Sequence, residues 1–461
     1  MSLTNLVLAI LVIGALYFTM GQRVASAHRS SGTEKFHSLP HYHGLWAAIT
    51  SVAPALGFLL VIAIGKDLLF QFWAGDYFPQ SVINGDSVDR AIALAKISNV
   101  VNGIDFGEVE PWVRSAGDAW IRWETNAVVV ANFLVLVASI GGGFLGFGKI
   151  KPAFRARNNV ERFLRWVLIG SSFVAILTTV GIVLSVLFES IRFFNLIPPQ
   201  DFLLGLEWNP QFEGAERAGS GGGTATYGMV PMFVGTFLIS AVALSVAVPV
   251  GLFSAIYLAE YATQRVRGIV KPLLEILAGV PTVVYGFFAA LTVAPFVKSL
   301  GESMGFEVAS ESALAAGLVM GVMIIPFISS LSDDVINAVP QSLRDAAYGL
   351  GSTRSEAVRQ VVLPAALPGI VAAIILAVSR AVGETMIVVM AAGLAANLSF
   401  NPLDAVTTVT SQIVTILVGD QEFESAKTLS AFALALMLII VTLALNYFAL
   451  QIVKKYREQY D

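Results

Sequence analysis

The sequence predicts an all-α, polytopic membrane protein with about nine transmembrane helices. Three observations carry that prediction. Apolar residues fill 56% of the 461 positions and charged residues only 13%, about half of the roughly 25% charge of a soluble chain. Mean hydropathy is +0.75, which excludes a soluble enzyme of this size because too few polar groups exist to cover its surface. Long runs lack Asp, Glu, Lys and Arg altogether, and each approaches the ~20 apolar residues that a helix needs to cross the hydrocarbon.

Eight such runs cover 1–22, 36–65, 126–148, 166–188, 218–259, 276–297, 312–332 and 428–453. A ninth, 365–403, is broken only by Arg380 and Glu384. The runs do not alternate as the ~10-residue strands of a membrane barrel do. A helix satisfies its own backbone in lipid.

Nine spans place the termini on opposite sides. With the tail Lys454-Lys455-Tyr456-Arg457 inside, the inner segments hold 18 Lys and Arg and the outer ones 9. The outer segments also hold 20 Asp and Glu. This is the bias expected of a cytoplasmic C-terminus and an extracytoplasmic N-terminus in a cell (inner) membrane. Ala25-Ser26-Ala27 resembles a signal-peptidase site, but no positive charge precedes the apolar run and Arg23 follows it. The first 27 residues are therefore read as an uncleaved anchor.

Two parts are expected. Residues 1–150 form an N-terminal extension with three spans and one long outer segment, 66–125. Gly85, Gly103 and Gly117 are its expected breaks, and 86–101 its short amphipathic helix. A basic stretch from Lys149 to Arg165 leads into a six-span core, 151–461. Between its first two spans lie Phe193, Phe194, Phe202, Trp208 and Phe212 with Pro198, Pro199 and Pro210. Aromatics with prolines there suggest a chain resting at the membrane interface or a docking surface for an outside partner.

Several chemistries are excluded or disfavoured. A net charge of −4 leaves no basic nucleic-acid footprint. The absence of cysteine removes disulfides, thiolate catalysis, iron–sulfur clusters and cysteine-based zinc sites. Gly219-Ser-Gly-Gly-Gly223 lacks the lysine and hydroxyl of a nucleotide loop and is read as a flexible linker. His37, His41 and His43, with Glu34 nearby, are read as a juxtamembrane surface cluster rather than a metal site.

The most informative local signal is the inner segment 332–365. Pro340 can open a helix, and Gly349 or Gly351 can close it in a left-handed conformation. Thr353 and Glu356 form a capping-box pattern for a second helix, and Pro364 is expected to limit its end. Ala346 and Ala347 give a smooth face for the close approach of another protein, though these residues alone fit a rigid loop with no partner equally well.

Asp345-Ala346-Ala347, then Gly351, then Val361-x-Leu363-Pro364, resembles the coupling loop of binding-protein-dependent ABC importer permeases. Asp stands for that family's Glu and Val for its Ile. The resemblance implies a type I ABC importer permease core, whose loop seats in a separate ATPase. Glu275 to Phe288, Ser379-Arg-Ala-Val-Gly-Glu-Thr-Met386, Phe202 to Pro210, and Gly235-Thr236 look like phosphate-importer permeases, closest to the PstC-type subunit. The resemblance covers roughly 165–455 and leaves 1–150 without a role.

Arg380 and Glu384 are expected to line the substrate path. An intramembrane charge costs roughly 2.5–3.5 kcal/mol or more. The i,i+4 spacing would put both on one helix face, where they could neutralise each other. A guanidinium fork suits a tetrahedral oxyanion. Glu275 is expected to pair with Lys271 in the same way.

The resemblance implies a membrane permease subunit of an ATP-driven inorganic phosphate importer, catalysing no bond-making step and holding no cofactor or metal of its own. The implied partners are a PstA-type second permease, a cytoplasmic ATPase dimer that hydrolyses ATP, and an extracytoplasmic phosphate-binding protein. An ABC permease for sulfate, molybdate or phosphonate is the nearest alternative. An ATPase-independent secondary carrier is a further one, though no clear repeat supports it.

Overall fold

The computed structural model describes residues 3–30, 36–83, 87–103, 110–210, 225–418 and 425–457. Glu34, Gly85, Phe212 and the expected linker Gly219–Gly223 lie outside them. Among the described residues, nine helices are long and apolar enough to cross a membrane, so the nine-span expectation holds. The chain divides into two compact units, Met1–Ile176 and Leu177–Asp461.

The first unit is built on α1 (Leu3–Ser30), α2 (Pro40–Trp73) and α5 (Pro111–Gly148). Between the last two lie the short α3 (Gln80–Ile83) and the expected outer helix α4 (Ser87–Val101). Pro40 and Pro111 open their helices, where a missing N–H costs nothing. With no hydrophobic drive between helices in lipid, close packing of small residues holds them together. A Cβ on Gly142 of α5 would stand 2.1 Å from the Thr50 carbonyl oxygen of α2, so only glycine permits this approach. Ser51 and Ser139 bridge the same two helices at 3.1 Å, both buried.

Two expectations change in this unit. Gly103, at φ +72°, does end α4, but Gly117 sits inside α5, where it lets Val100 pack close. His43 is fully buried rather than part of a surface cluster. Starting α2 at Pro40 turns His43 inward, edge-on to Phe36 with ring centroids 5.2 Å apart.

The second unit begins within α6 (Ala156–Leu196), which carries the chain out of the first. Ile197-Pro198-Pro199 folds the chain into α7 (Pro199–Leu204) and a two-residue antiparallel ladder. Its strands are β1 (Trp208–Asn209) and β2 (Thr226–Tyr227), with Trp208 opposite Tyr227. Of the aromatics in this segment, Phe193, Phe202 and Trp208 form a core. Phe193 and Phe202 are fully buried, edge-on with centroids 5.3 Å apart, and Trp208 and Tyr227 close over them. Edge-to-face packing gains energy beyond the buried area, and the proline turn brings the rings together.

Helix α8 (Val230–Ile256) and its π turn Tyr257–Tyr261 are followed by α9 (Gln264–Ala278). The next span starts later than expected, at Thr282, because Pro281 cannot continue α9. It comprises α10 (Thr282–Phe288), a π turn at Ala289–Val293 and α11 (Ala294–Ser303). Helix α12 (Ala313–Ala338) packs along α8 through Ala243, Ala247, Met320, Ile324 and Ile328, all fully buried.

After α12 come α13 (Gln341–Gly349), α14 (Arg354–Ala357), a π turn at Val358–Val362 and α15 (Leu363–Val382). Pro364 therefore does not end the second short helix. The π turn shifts the hydrogen-bond register just before it, so its missing N–H is absorbed in the first turn of α15. The chain closes with α16 (Met386–Ala391), α17 (Val409–Val418) and α18 (Ala426–Arg457).

Candidate functional site

Two regions of the second unit carry the residues singled out by the sequence. The first is the loop from Val339 to Thr353. Pro340 stands at the N-cap of α13, one position earlier than a first helical residue. Gly351 has φ +87° and closes the helix, while its N–H donates to the Tyr348 carbonyl. This left-handed geometry costs an L side chain roughly 1–2 kcal/mol. Thr353 and Glu356 make the full capping box. The Thr353 N–H and hydroxyl both donate to the Glu356 carboxylate, at 2.8 and 2.7 Å. Asp345 and Ala346 face outward, whereas Ala347 is buried beneath them. Leu350 is 89% exposed at the tip, next to exposed Tyr348 and Leu343.

The loop is held by a residue that sequence reasoning missed. Arg344 of α13 is buried, and its Nε and Nη2 donate to Glu260 Oε1 at 3.1 and 2.8 Å. Its remaining donors reach the Val339 and Ile336 carbonyls. Glu260 lies in the π turn that ends α8. One side chain thus ties α13 to the ends of two spans. An available signal was Glu260 closing a 42-residue uncharged run, 218–259, since a carboxylate at that position needs a cation.

A second clamp lies nearby. Asp333 of α12 is 1% exposed and accepts from Arg267 and Lys271 of α9, each at 2.8 Å. Lys271 also donates to Asp334 at 2.9 Å. Lys271 is therefore not the partner of Glu275, which is exposed. Asp333 supplies a buried carboxylate that two cations must neutralise. The hydrogen bonds to Asp333 and then Asp334 raise the Lys271 pKa above its ordinary value.

The second region is the break after α15. Arg380 occupies its last turn, where the helix dipole favours a cation. The helix ends at Val382 with Gly383 as its cap, so Glu384 lies beyond it and the i,i+4 argument does not apply. Among the described residues, Arg380 and Glu384 form no ion pair. The Arg380 guanidinium is exposed and lies 5.7 Å from the centre of the Phe327 ring. Glu384 is buried, and its Oε1 accepts the Met386 N–H at 3.2 Å. The Thr410 hydroxyl donates to the Glu384 carbonyl at 2.8 Å, beside the linked hydroxyls of Thr408 and Ser411. Ser379 donates to Asn446 at 2.8 Å and fixes the last turn of α15 on α18. Among the described residues the guanidinium has no carboxylate partner, and it stands at a broken span, a geometry suited to meeting an anion.

Residues 247–458 match the family model described as binding-protein-dependent transport system inner membrane component. Residues 7–178 match a model described as phosphate ATP-binding cassette transporter. The chain is 31% identical over 280 residues to the probable ABC transporter permease protein YqgH of Bacillus subtilis, covering 60% of this chain and 86% of that one.

The chain belongs to the binding-protein-dependent ABC transporter permeases.

This permease is also 32% identical over 178 residues to the phosphate transport system permease protein PstC of Mesorhizobium japonicum. It is 33% identical over 191 residues to PstC of Haemophilus influenzae. Those matches cover 35% and 38% of this chain, and 51% and 56% of the relatives' own length. The permease thus spans about half of the PstC proteins it matches. It is an ABC importer permease and a multi-pass membrane protein. The first unit, to which the sequence reading carried no role, lies almost wholly within the phosphate-transporter match.

Proposed function

We propose that this permease forms part of the translocation path of an ATP-driven inorganic phosphate importer. The observation that carries the reading is the exposed guanidinium of Arg380, which has no carboxylate partner among the described residues, at the end of a membrane span. An unpaired cation within a membrane span is disfavoured, and a passing oxyanion offsets that cost through paired N–H donors. Relatives named for phosphate favour that oxyanion over sulfate, molybdate or phosphonate.

In this reading Arg380 takes the anion, and Glu384, held back on the Met386 N–H, repels it and hastens its release. The residues Asp345, Ala346, Ala347, Gly351, Leu363 and Pro364 belong to the loop through which a separate ATPase dimer acts. ATP binding there favours one of two states of the path, as differential contacts require. A PstA-type subunit completes the path, and an extracytoplasmic binding protein delivers phosphate. The C-terminus is cytoplasmic and the N-terminus extracytoplasmic. Residues 1–150 are the appended part and 151–461 the transport core.

Phosphate uptake into proteoliposomes tests this, with ATPase, second permease and binding protein omitted one at a time. Uptake should require all three and should resist competition by sulfate or molybdate. Uptake by the permease alone, or undiminished uptake in Arg380→Gln, overturns it.

A further inference from the structure

The first unit contains a cleft that the transport reading does not use. It encloses about 660 Å³ between α2, α5 and the start of α6. One end is polar and basic, with Lys149 just past α5, and Asn159 and Arg162 in the opening turns of α6. Neither Lys149 nor Arg162 has an ion-pair partner among the described residues. The Trp46 indole lines the same cleft, and its Nε1 is buried without a hydrogen-bond partner.

Apart from Thr50, the rest of the cleft is apolar. Ile49, Ala53 and Phe58 line it from α2, and Leu145 from α5. Trp46 and Phe58 stand twelve residues apart on one helix, or roughly 18 Å at 1.5 Å per residue. That is close to half of the ~30 Å hydrocarbon core. The basic end coincides with three span ends on one side of the membrane, where indoles and headgroups meet.

We propose that this cleft holds one anionic glycerophospholipid. Its phosphodiester lies between Lys149 and Arg162, and one acyl chain follows the groove past Trp46 to Phe58. Charge complementarity selects the anionic class. The stretch 149–165 holds six cations, Lys149, Lys151, Arg155, Arg157, Arg162 and Arg165, against the single acid Glu161, which is paired to Arg157 at 2.6 Å. Length selects a lipid over free phosphate, because an inorganic ion would leave the apolar groove unfilled. Basic pockets at span ends bind such headgroups generally. The inference stands whatever anion the permease transports.

Native mass spectrometry of the full chain, purified from vesicles of equal phosphatidylglycerol and phosphatidylcholine, tests it. The expected result is one phosphatidylglycerol per chain surviving activation that strips phosphatidylcholine. Lys149→Gln with Arg162→Gln should lower its retention at least fivefold. The charge-matched Lys151→Gln with Arg165→Gln should leave it intact. Brominated phosphatidylglycerol should also quench the wild-type tryptophan emission more than brominated phosphatidylcholine, a readout that needs no variant to fold. Equal retention or quenching by both lipids overturns the proposal. So does equal loss in both double variants, no loss in the first, or displacement of the lipid by excess inorganic phosphate.

Discussion

Arg344 and Glu260 form a buried ion pair, Nη2 to Oε1 2.8 Å, between the α13 loop and the π turn that ends α8. Eighty-four residues separate them. The pair makes the loop an extension of the span ends rather than a loose connection. Removing one partner strands a buried charge, which costs about 3–5 kcal/mol. Arg344→Gln should lower the unfolding midpoint of the purified permease and uncouple ATP hydrolysis from uptake. Adding Glu260→Gln should recover part of the stability, read by thermal unfolding in detergent.

Arg380→Gln should reduce phosphate uptake more than tenfold at normal assembly, a change of at least about 1.4 kcal/mol in the transport barrier. Arg380→Lys should fall between, since an ammonium keeps the charge without the planar fork. Glu384→Gln should assemble normally, because a side-chain carbonyl can still accept the Met386 N–H. Radiolabelled uptake in vesicles, normalised to assembled complex, checks all three.

The loop turn depends on two residues that touch no substrate. Gly351→Ala must hold a φ of +87°, at a cost of roughly 1–2 kcal/mol. Thr353→Ala removes the capping hydroxyl, at about 1 kcal/mol. Both should raise hydrogen exchange at Tyr348 to Ala357 and weaken ATPase coupling. Unchanged exchange in both variants would count against a preset loop.

Asp333 and Asp334 raise the Lys271 pKa. A raised folded pKa contributes stability that is present below about 10.5, the ordinary lysine value, and is lost as pH rises through the folded pKa. The α9–α12 clamp should therefore loosen only in strong alkali. Near pH 9, Lys271 should acylate slowly, and Asp333→Asn should speed it several-fold. Peptide mapping after a pulse of acylating reagent gives both rates.

Gly142→Val should separate α5 from α2, because the nearest atom is the Thr50 backbone oxygen rather than a movable side chain. Overpacking of this kind typically costs 1–3 kcal/mol. Limited proteolysis within 66–110 should show the loss first.

How much of this was legible in the sequence follows from the range of each interaction. The spans could be read because lipid imposes one rule on every segment: about 20 uncharged residues and no unpaired backbone. The capping box and the Gly351 turn were legible because each is a contact within five residues. The Arg380–Glu384 pairing was misread because i,i+4 arithmetic assumes an unbroken helix, and Gly383 ends it. Arg344–Glu260 and Asp333–Lys271 join residues 84 and 62 apart, and nothing local announces such partners. The Phe193–Phe202–Trp208 packing was not legible because composition does not distinguish rings stacked on one another from rings laid on headgroups.

The π turn at Val358–Val362 stands between the Thr353 cap and the span that carries Arg380. Its surplus residue sets angular phase: at about 3.6 residues per turn, absorbing or ejecting one residue swings everything downstream by about 100°. A small displacement at the capped end can thus be delivered eighteen residues onward as rotation about the helix axis. If the loop drives the path as proposed, winding at this turn would carry its movement to the guanidinium without sliding the whole span.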